Sequence, residues 1–271
     1  MIYAVLVCYY EKYKKNSIVE FHKLLASFGH PFTIIIVNNN HNLQKCSDNY
    51  NLIEIAGSNA GWEFSAWDEG VQYIKENYDP LSAQDFFIFA NDTFNHHRLF
   101  CFLDLFFFKQ SVLKHVASSK PTIIGEVNSF NQEFSVDGYS GTKWVSTYLF
   151  AVNFNYMNKL LKFDMGDDTF QTLCTDVTLK NIVFSNKVSV NLASHLTDWM
   201  YPKTKKFSWY GNKKNDVTLF RNKLKAILNE KRLSINCLRY GGEIISSYHT
   251  IPSSLYLKIK NFIYYRFLSN Y

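Results

Sequence analysis

The run FTIIIVNNNH, residues 32–41, is unbroken in its apolar and β-branched character from Phe32 to Val37 and then stops in Asn38, Asn39 and Asn40. An apolar run of strand length without polar alternation is what a strand buried on both faces requires, as in a parallel sheet. Upstream, IYAVLVC (2–8) is a second run of the same kind. Between the two, Ile18, Phe21, His22 and Leu25 recur at helical spacing behind Ser17-x-x-Glu20, a capping-box pattern that predicts a helix start at Ser17. Downstream, residues 52–56 read as a short strand, and Phe64, Trp67, Val71 and Ile74 recur at helical spacing. A fourth strand over 85–90 stops at Asn91-Asp92-Thr93. Strand, helix, strand, strand, helix, strand predicts an α/β fold: an open, mostly parallel sheet with helices on both faces.

In such a sheet, ligands bind beyond the carboxyl ends of the strands. Three polar clusters fall on that edge: 38–40, 59–61 with the helix N-terminus that follows, and 91–93. A helix N-terminus facing a crevice suits an anion such as pyrophosphate. The chain has no G-x-G-x-x-G, no G-x-x-x-x-G-K-[ST] and no G-x-S-x-G, which points away from a dinucleotide fold, a P-loop and a serine hydrolase.

Composition bounds the remaining classes. The chain has 271 residues, 47% of them apolar, with 24 Phe, 18 Tyr and 5 Trp, which excludes a disordered or fibrous protein. Five scattered cysteines without a C-x-x-C pair argue against a disulfide framework or a structural zinc site, and for a reducing, cytoplasmic setting. The opening residues lack the basic start and small-residue cleavage site of a signal peptide, and the run from Leu99 to Phe108 is too short to span a bilayer.

Charge is uneven. Net charge is +6, yet 203–233 holds ten Lys or Arg against Asp216 and Glu230. Asp216 can cap a helix whose apolar face is Val217, Phe220, Leu224, Ile227 and Leu228. A last segment mixes Leu, Ile, Phe and Tyr with Lys258, Lys260 and Arg266. The expected organisation is therefore a domain over 1–200 and a basic, aromatic helical tail over 201–271. That tail reads either as solvated helices packed on the core or as a peripheral contact with an anionic membrane surface. No nucleic-acid-binding motif accompanies the charge, so nucleic acid is not an expected partner.

Three segments together resemble a family. IIIVNNNH (34–41), SNAGWEFSAWDEGVQYI (58–74) and FFIFANDTF (86–94) are similar, in order and spacing, to the V-D-N-x-S, N-x-G-[FW] and N-D-T segments of nucleotide-sugar glycosyltransferases with the GT-A fold, of the family-2 kind. With VSTYLF (145–150), the pattern resembles the rhamnan-synthesis-F type, which acts on bacterial surface polysaccharides. The resemblance is clear over 1–100, thinner to 200 and absent beyond.

The resemblance implies an inverting glycosyltransferase that moves a sugar from a nucleotide-sugar donor to a lipid-linked or oligosaccharide acceptor in a growing surface glycan such as lipopolysaccharide. It implies Mg²⁺ or Mn²⁺ held by Asp92, with His195 as a further metal or diphosphate ligand, because SVNLASH (189–195) resembles the strand that ends in the family's late histidine. Asn38, Asn39, Asn59, Gly61, Trp62, Asn91 and Thr93 fall at donor-binding positions. Asn38 replaces the family's usual aspartate. TDVTL (175–179) stands where the family carries E-D-x-x-L, which makes Asp176 the first candidate base. Asp137, Asp164, Asp167 and Asp168 are alternatives.

Simpler readings stand beside these. Asn-Asp-Thr is good turn chemistry, Asp176 can decorate a helix, a lone His after a strand is more often structural, and Trp67 lies on the apolar stripe. Trp144 and Tyr148 are weaker candidates for the acceptor side. A catalytically silent domain that partners an active transferase is the alternative function. A nucleotidyltransferase is disfavoured, because the loop Tyr9–Tyr13 has no glycine.

Overall fold

A computed structural model describes residues 1–43, 52–78, 80–96, 100–160, 162–202 and 216–264. β1 (Ile2–Cys8) leads through α1 (Glu11–Ser27) to β2 (Phe32–Asn38) and β3 (Leu52–Ala56). α2 (Trp62–Tyr78), β4 (Phe86–Asn91), a short 3-10 turn (Phe94–His96) and α3 (Phe102–His115) complete the first half. The second half comprises β5 (Thr122–Val136), β6 (Tyr139–Asn153), α4 (Phe154–Met157), α5 (Gly166–Leu173), β7 (Cys174–Val177), β8 (Ile182–Phe184), α6 (Val190–Met200), α7 (Val217–Arg239), β9 (Glu243–Ser246) and α8 (Ile251–Ile263).

Among the described residues, seven strands form one sheet in the order β3-β2-β1-β4-β6-β5-β9. β1 pairs in parallel with both β2 and β4, and β2 pairs in parallel with β3. β6 runs antiparallel to β4 and β5, whereas β9 is parallel to β5. The chain therefore steps outward from β1 on one side and returns to its other side with β4. That reversal opens a crevice between the carboxyl ends of β1 and β4, where open α/β sheets take their ligands.

Every residue of β1 is buried, because helices cover both sheet faces. Alternate side chains divide between two cores: Tyr3, Val5 and Val7 pack with α2, α4 and α7, and Ile2, Ala4 and Leu6 with α1 and α3. Trp67 is fully buried in the first core, as its place on the apolar stripe predicts. A third core joins the long β5–β6 hairpin to α5, α6, α7 and the β7–β8 pair.

Two expectations are corrected. Helix α1 starts at Glu11, not Ser17; Ser17 is buried in mid-helix, with its hydroxyl donating to the Lys14 carbonyl at 2.9 Å. A serine satisfied by the carbonyl one turn back needs no helix end, so the apparent capping box was coincidental. A boundary at residue 200 also cuts through one packed unit. α7 contributes Ala226, Leu233 and Cys237 to the first core and Phe220, Leu224 and Leu228 to the third, while β9 is the seventh strand of the sheet. Asp216 does cap α7, accepting the Leu219 amide at 3.0 Å. Lys203, Lys205, Lys206, Lys213, Lys214 and Arg266 lie outside the described residues. No helix among the described residues is long and apolar enough to cross a membrane.

Candidate functional site

The β1/β4 crevice is a cleft of about 300 Å³, lined by Val7, Tyr9 and Tyr10 after β1, Asn39 after β2, Asn59, Trp62 and Glu63 at the start of α2, and Asn91, Asp92 and Thr93 after β4. Leu219 and Lys223 of α7 close it. Six of the ten first-choice candidates from the sequence are thus brought together: Asn39, Asn59, Trp62, Asn91, Asp92 and Thr93.

Asp92 is 3% exposed, and its Oδ2 accepts the backbone amides of Tyr9 at 2.7 Å and Tyr10 at 2.6 Å. Burial raises its carboxyl above the ordinary aspartate value, against the opposing pull of those two amides and of His96. Beside it the Asn91 side-chain oxygen accepts both the Thr93 amide, at 3.2 Å, and the Thr93 hydroxyl, at 2.8 Å. This local turn bonding coexists with exposure of the same residues to the cleft.

The loop before α2 is under backbone constraint. Asn59 and Trp62 both have φ of 55°, in the left-handed region that non-glycine residues seldom occupy. Asn39 holds the turn by donating from Nδ2 to the Trp62 carbonyl at 2.9 Å. Gly61 does not line the cleft; it lies beneath the loop, where the Asp164 carboxylate covers it.

Beside the aromatic Tyr9 and Tyr10, two charged cleft residues were missed. Glu63 sits in the first turn of α2, and burial raises its carboxyl while Lys223 pulls it down and Glu230 and Asp92 push it up. A glutamate there reads from sequence as a partner of the helix dipole. Lys223 lies off the apolar stripe of α7 and reads as a solvated lysine. Only the packing of α7 against the sheet brings it over the cleft.

The remaining candidates lie elsewhere. Asn38 is buried and turned along the sheet, donating to Glu54 at 2.9 Å and accepting the Asn40 amide at 3.1 Å. Asp176 is exposed on β7, opposite Val183, and does not line the cleft. His195 is corrected from a strand end to the middle of α6, with its ring 4.4 Å from that of Phe130. There burial, then Lys231, lowers its pKa, and it is not part of the cleft wall. Trp144 is buried beneath the Lys231 ammonium, 3.7 Å from the ring centroid, and the Tyr148 hydroxyl donates to Glu126 at 2.7 Å. His96 packs on Tyr13, and His97 lies outside the described residues.

Among the described residues no three His, Cys, Asp or Glu side chains cluster as a ready-made metal cage. The donor set fits a cation differently: Asp92 lines the cleft and commits only one carboxylate oxygen, Oδ2, to the two amides. Mg²⁺-type ions are commonly held by one or two carboxylates and completed by phosphate oxygens and water.

Fold and cleft together define an α/β protein with a ligand crevice at the topological switch point of its sheet. No protein-family model matches the chain, and no curated protein matches it.

Proposed function

We propose that the chain is an inverting glycosyltransferase of the GT-A type, which transfers a sugar from a nucleotide-sugar donor to a lipid-linked or oligosaccharide acceptor of a bacterial surface glycan. One observation carries the reading: the three separated segments that resemble that family meet in a single cleft at the β1/β4 switch point. The cytoplasmic face of the membrane is the proposed setting.

In this reading the donor diphosphate lies near the N-terminus of α2, where the helix dipole favours an anion. Asp92 would hold Mg²⁺ or Mn²⁺ with its second oxygen, and the ion would stabilise the departing diphosphate. Lys223, across the cleft, shares that negative charge. Tyr9, Tyr10 and Trp62 offer ring faces to base or sugar.

The base role passes from Asp176 to Glu63. Glu63 shares the cleft with Asp92, whereas Asp176 does not. A carboxylate raised by burial above its ordinary value is a stronger base for removing a hydroxyl proton, a contribution of typically ~10²–10⁴ in rate.

The test is a thermal-shift screen of UDP-, GDP-, CMP- and dTDP-sugars with and without Mn²⁺, followed by turnover of whichever donor binds. A true donor at a hundredfold excess over its dissociation constant adds about 2.7 kcal/mol of apparent stability. The alternative, a silent partner domain, is favoured if a donor binds but neither transfer nor hydrolysis follows, whereas turnover unchanged in Glu63→Gln would remove Glu63 as the base. Should no nucleotide sugar bind in either condition, the glycosyltransferase reading fails.

A further inference from the structure

Helix α8 turns Tyr256 and Lys260 toward the protein: Asp104 of α3, 2% exposed, accepts Lys260 Nζ at 2.6 Å, the Tyr256 hydroxyl at 3.0 Å and the Tyr248 hydroxyl, as well as the Cys101 amide at 2.8 Å. This buried node fixes the rotation of α8 about its axis. Its opposite face presents Ile251, Leu255, Ile259 and Phe262 to solvent, at 87, 56, 51 and 64% exposure. Those residues recur at helical spacing and form one stripe. On α3, to which α8 is pinned, Phe102 and Phe106 are exposed at 75 and 50%. A concentration of large apolar side chains of this kind marks an interaction surface.

We propose that the α3–α8 ridge is a peripheral docking surface for an anionic phospholipid bilayer, with α8 lying in the plane of the headgroups. Two features choose the lipid. The exposed apolar residues lie along one helix face, the side that an in-plane helix buries at the boundary between headgroups and acyl chains. The ridge is also cationic: α8 has no acidic residue and carries exposed Lys258, while the one acid of α3, Asp104, is already matched by Lys260, which leaves exposed Lys114. Anionic lipid complements that charge. A second copy of the chain does not, because an isologous contact would bring two sets of lysines together with no acid on either helix of the ridge left to receive them.

The inward face of α8 connects through the interior to the segment after the cleft turn: Phe94, just after Asn91-Asp92-Thr93, packs 5.6 Å from Phe100, and Lys260 lies 5.7 Å from the Phe100 ring. The membrane contact does not depend on the glycosyltransferase reading.

The experiment is co-sedimentation of the full chain with vesicles of phosphatidylcholine alone or with about one-third phosphatidylglycerol. Wild type should pellet with the anionic vesicles and be released by salt. Leu255→Asp combined with Phe262→Asp should weaken binding by on the order of tenfold or more with unchanged circular dichroism, as both positions are exposed. Lys258→Glu should weaken it less and flatten its salt dependence. The proposal is overturned if wild type stays in the supernatant, if the double variant binds as well as wild type, or if sedimentation velocity shows instead a dimer that the double variant dissociates. Donor binding measured without vesicles reports on the cleft alone, so the two readings fail separately.

Discussion

Asp92 Oδ2 lies 2.6 Å from the backbone nitrogen of Tyr10, and the same oxygen accepts the Tyr9 amide. One carboxylate thus ties the end of β4 to the start of α1 and also lines the cleft. The two roles separate by substitution. Asp92→Ala leaves two amides without their acceptor and should cost about 1–3 kcal/mol in denaturant unfolding, whatever the protein does. Asp92→Asn keeps a carbonyl oxygen for the amides and removes the charge. It should lose less stability and yet abolish the Mn²⁺ dependence of donor binding. Because burial raises the Asp92 carboxyl, that dependence should fade on acidification at a higher pH than for an ordinary aspartate. An unchanged Mn²⁺ effect in Asp92→Asn would remove the metal role.

Gly61 sits against the Asp164 carboxylate, where an added Cβ would stand 2.8 Å from Cγ and 2.9 Å from Oδ2. Asp164 cannot swing aside freely, because Lys225 and Asn229 hold its two oxygens at 3.0 and 2.8 Å. Gly61→Ala should therefore cost about 1–3 kcal/mol and displace Asn59 and Trp62. Thermal unfolding together with donor titration checks both effects. A variant with wild-type stability and wild-type affinity would show that the loop absorbs the methyl group.

The sheet and its edge were legible because each rests on a local rule. Unbroken apolar runs at 2–8, 32–37 and 86–90 become buried parallel strands, and the Asn-rich stops after the second and third fall on one edge. Apolar period and polar punctuation are enough to place Asn39, Asn91 and Asp92. Lys223 and Glu63 were not legible, since they reach the cleft through the packing of α7 and the turn of α2. The lysines of 203–233 misled for a related reason: Lys225 and Lys231 are buried, the first beside Asp164 and Asp167, the second beside Glu230 and over Trp144. A lysine count cannot tell a solvated face from a cation paired in the interior. His195 followed a resemblance past the point where the local pattern supported it, and the helical spacing of Leu192, Leu196 and Met200 was the signal that contradicted it.

Lys225 supplies a further prediction. Its ammonium is almost wholly buried between Asp164 at 3.0 Å and the exposed Asp167 at 3.1 Å. Lys225→Met should destabilise by about 3 kcal/mol, mostly because Asp164 is left charged and poorly solvated. Adding Asp164→Asn should recover a large part of that loss, since an amide needs no countercharge. A double-mutant cycle in urea measures the coupling. If the second substitution recovers nothing, the loss comes from packing and not from charge.

Asp68 on α2 accepts the amides of Phe163 at 2.7 Å and Asp164 at 3.0 Å, and so holds the segment that covers Gly61. Burial nevertheless pushes its carboxyl up to about 6, because the loss of hydration outweighs those two amides. A carboxyl whose folded pKa lies above its unfolded value contributes stability that is complete below about pH 4 and lost as pH rises through 6. Relative to Asp68→Asn, wild type should therefore lose on the order of 2–3 kcal/mol between pH 4 and pH 7. Denaturation of both proteins across that range checks the sign, and a constant difference would contradict it. Ionised Asp68 bonds the 163–164 amides more strongly than the neutral acid, so the loop beneath Trp62 should tighten as pH rises. Donor affinity should then increase through pH 6 in wild type and lose that increment in Asp68→Asn.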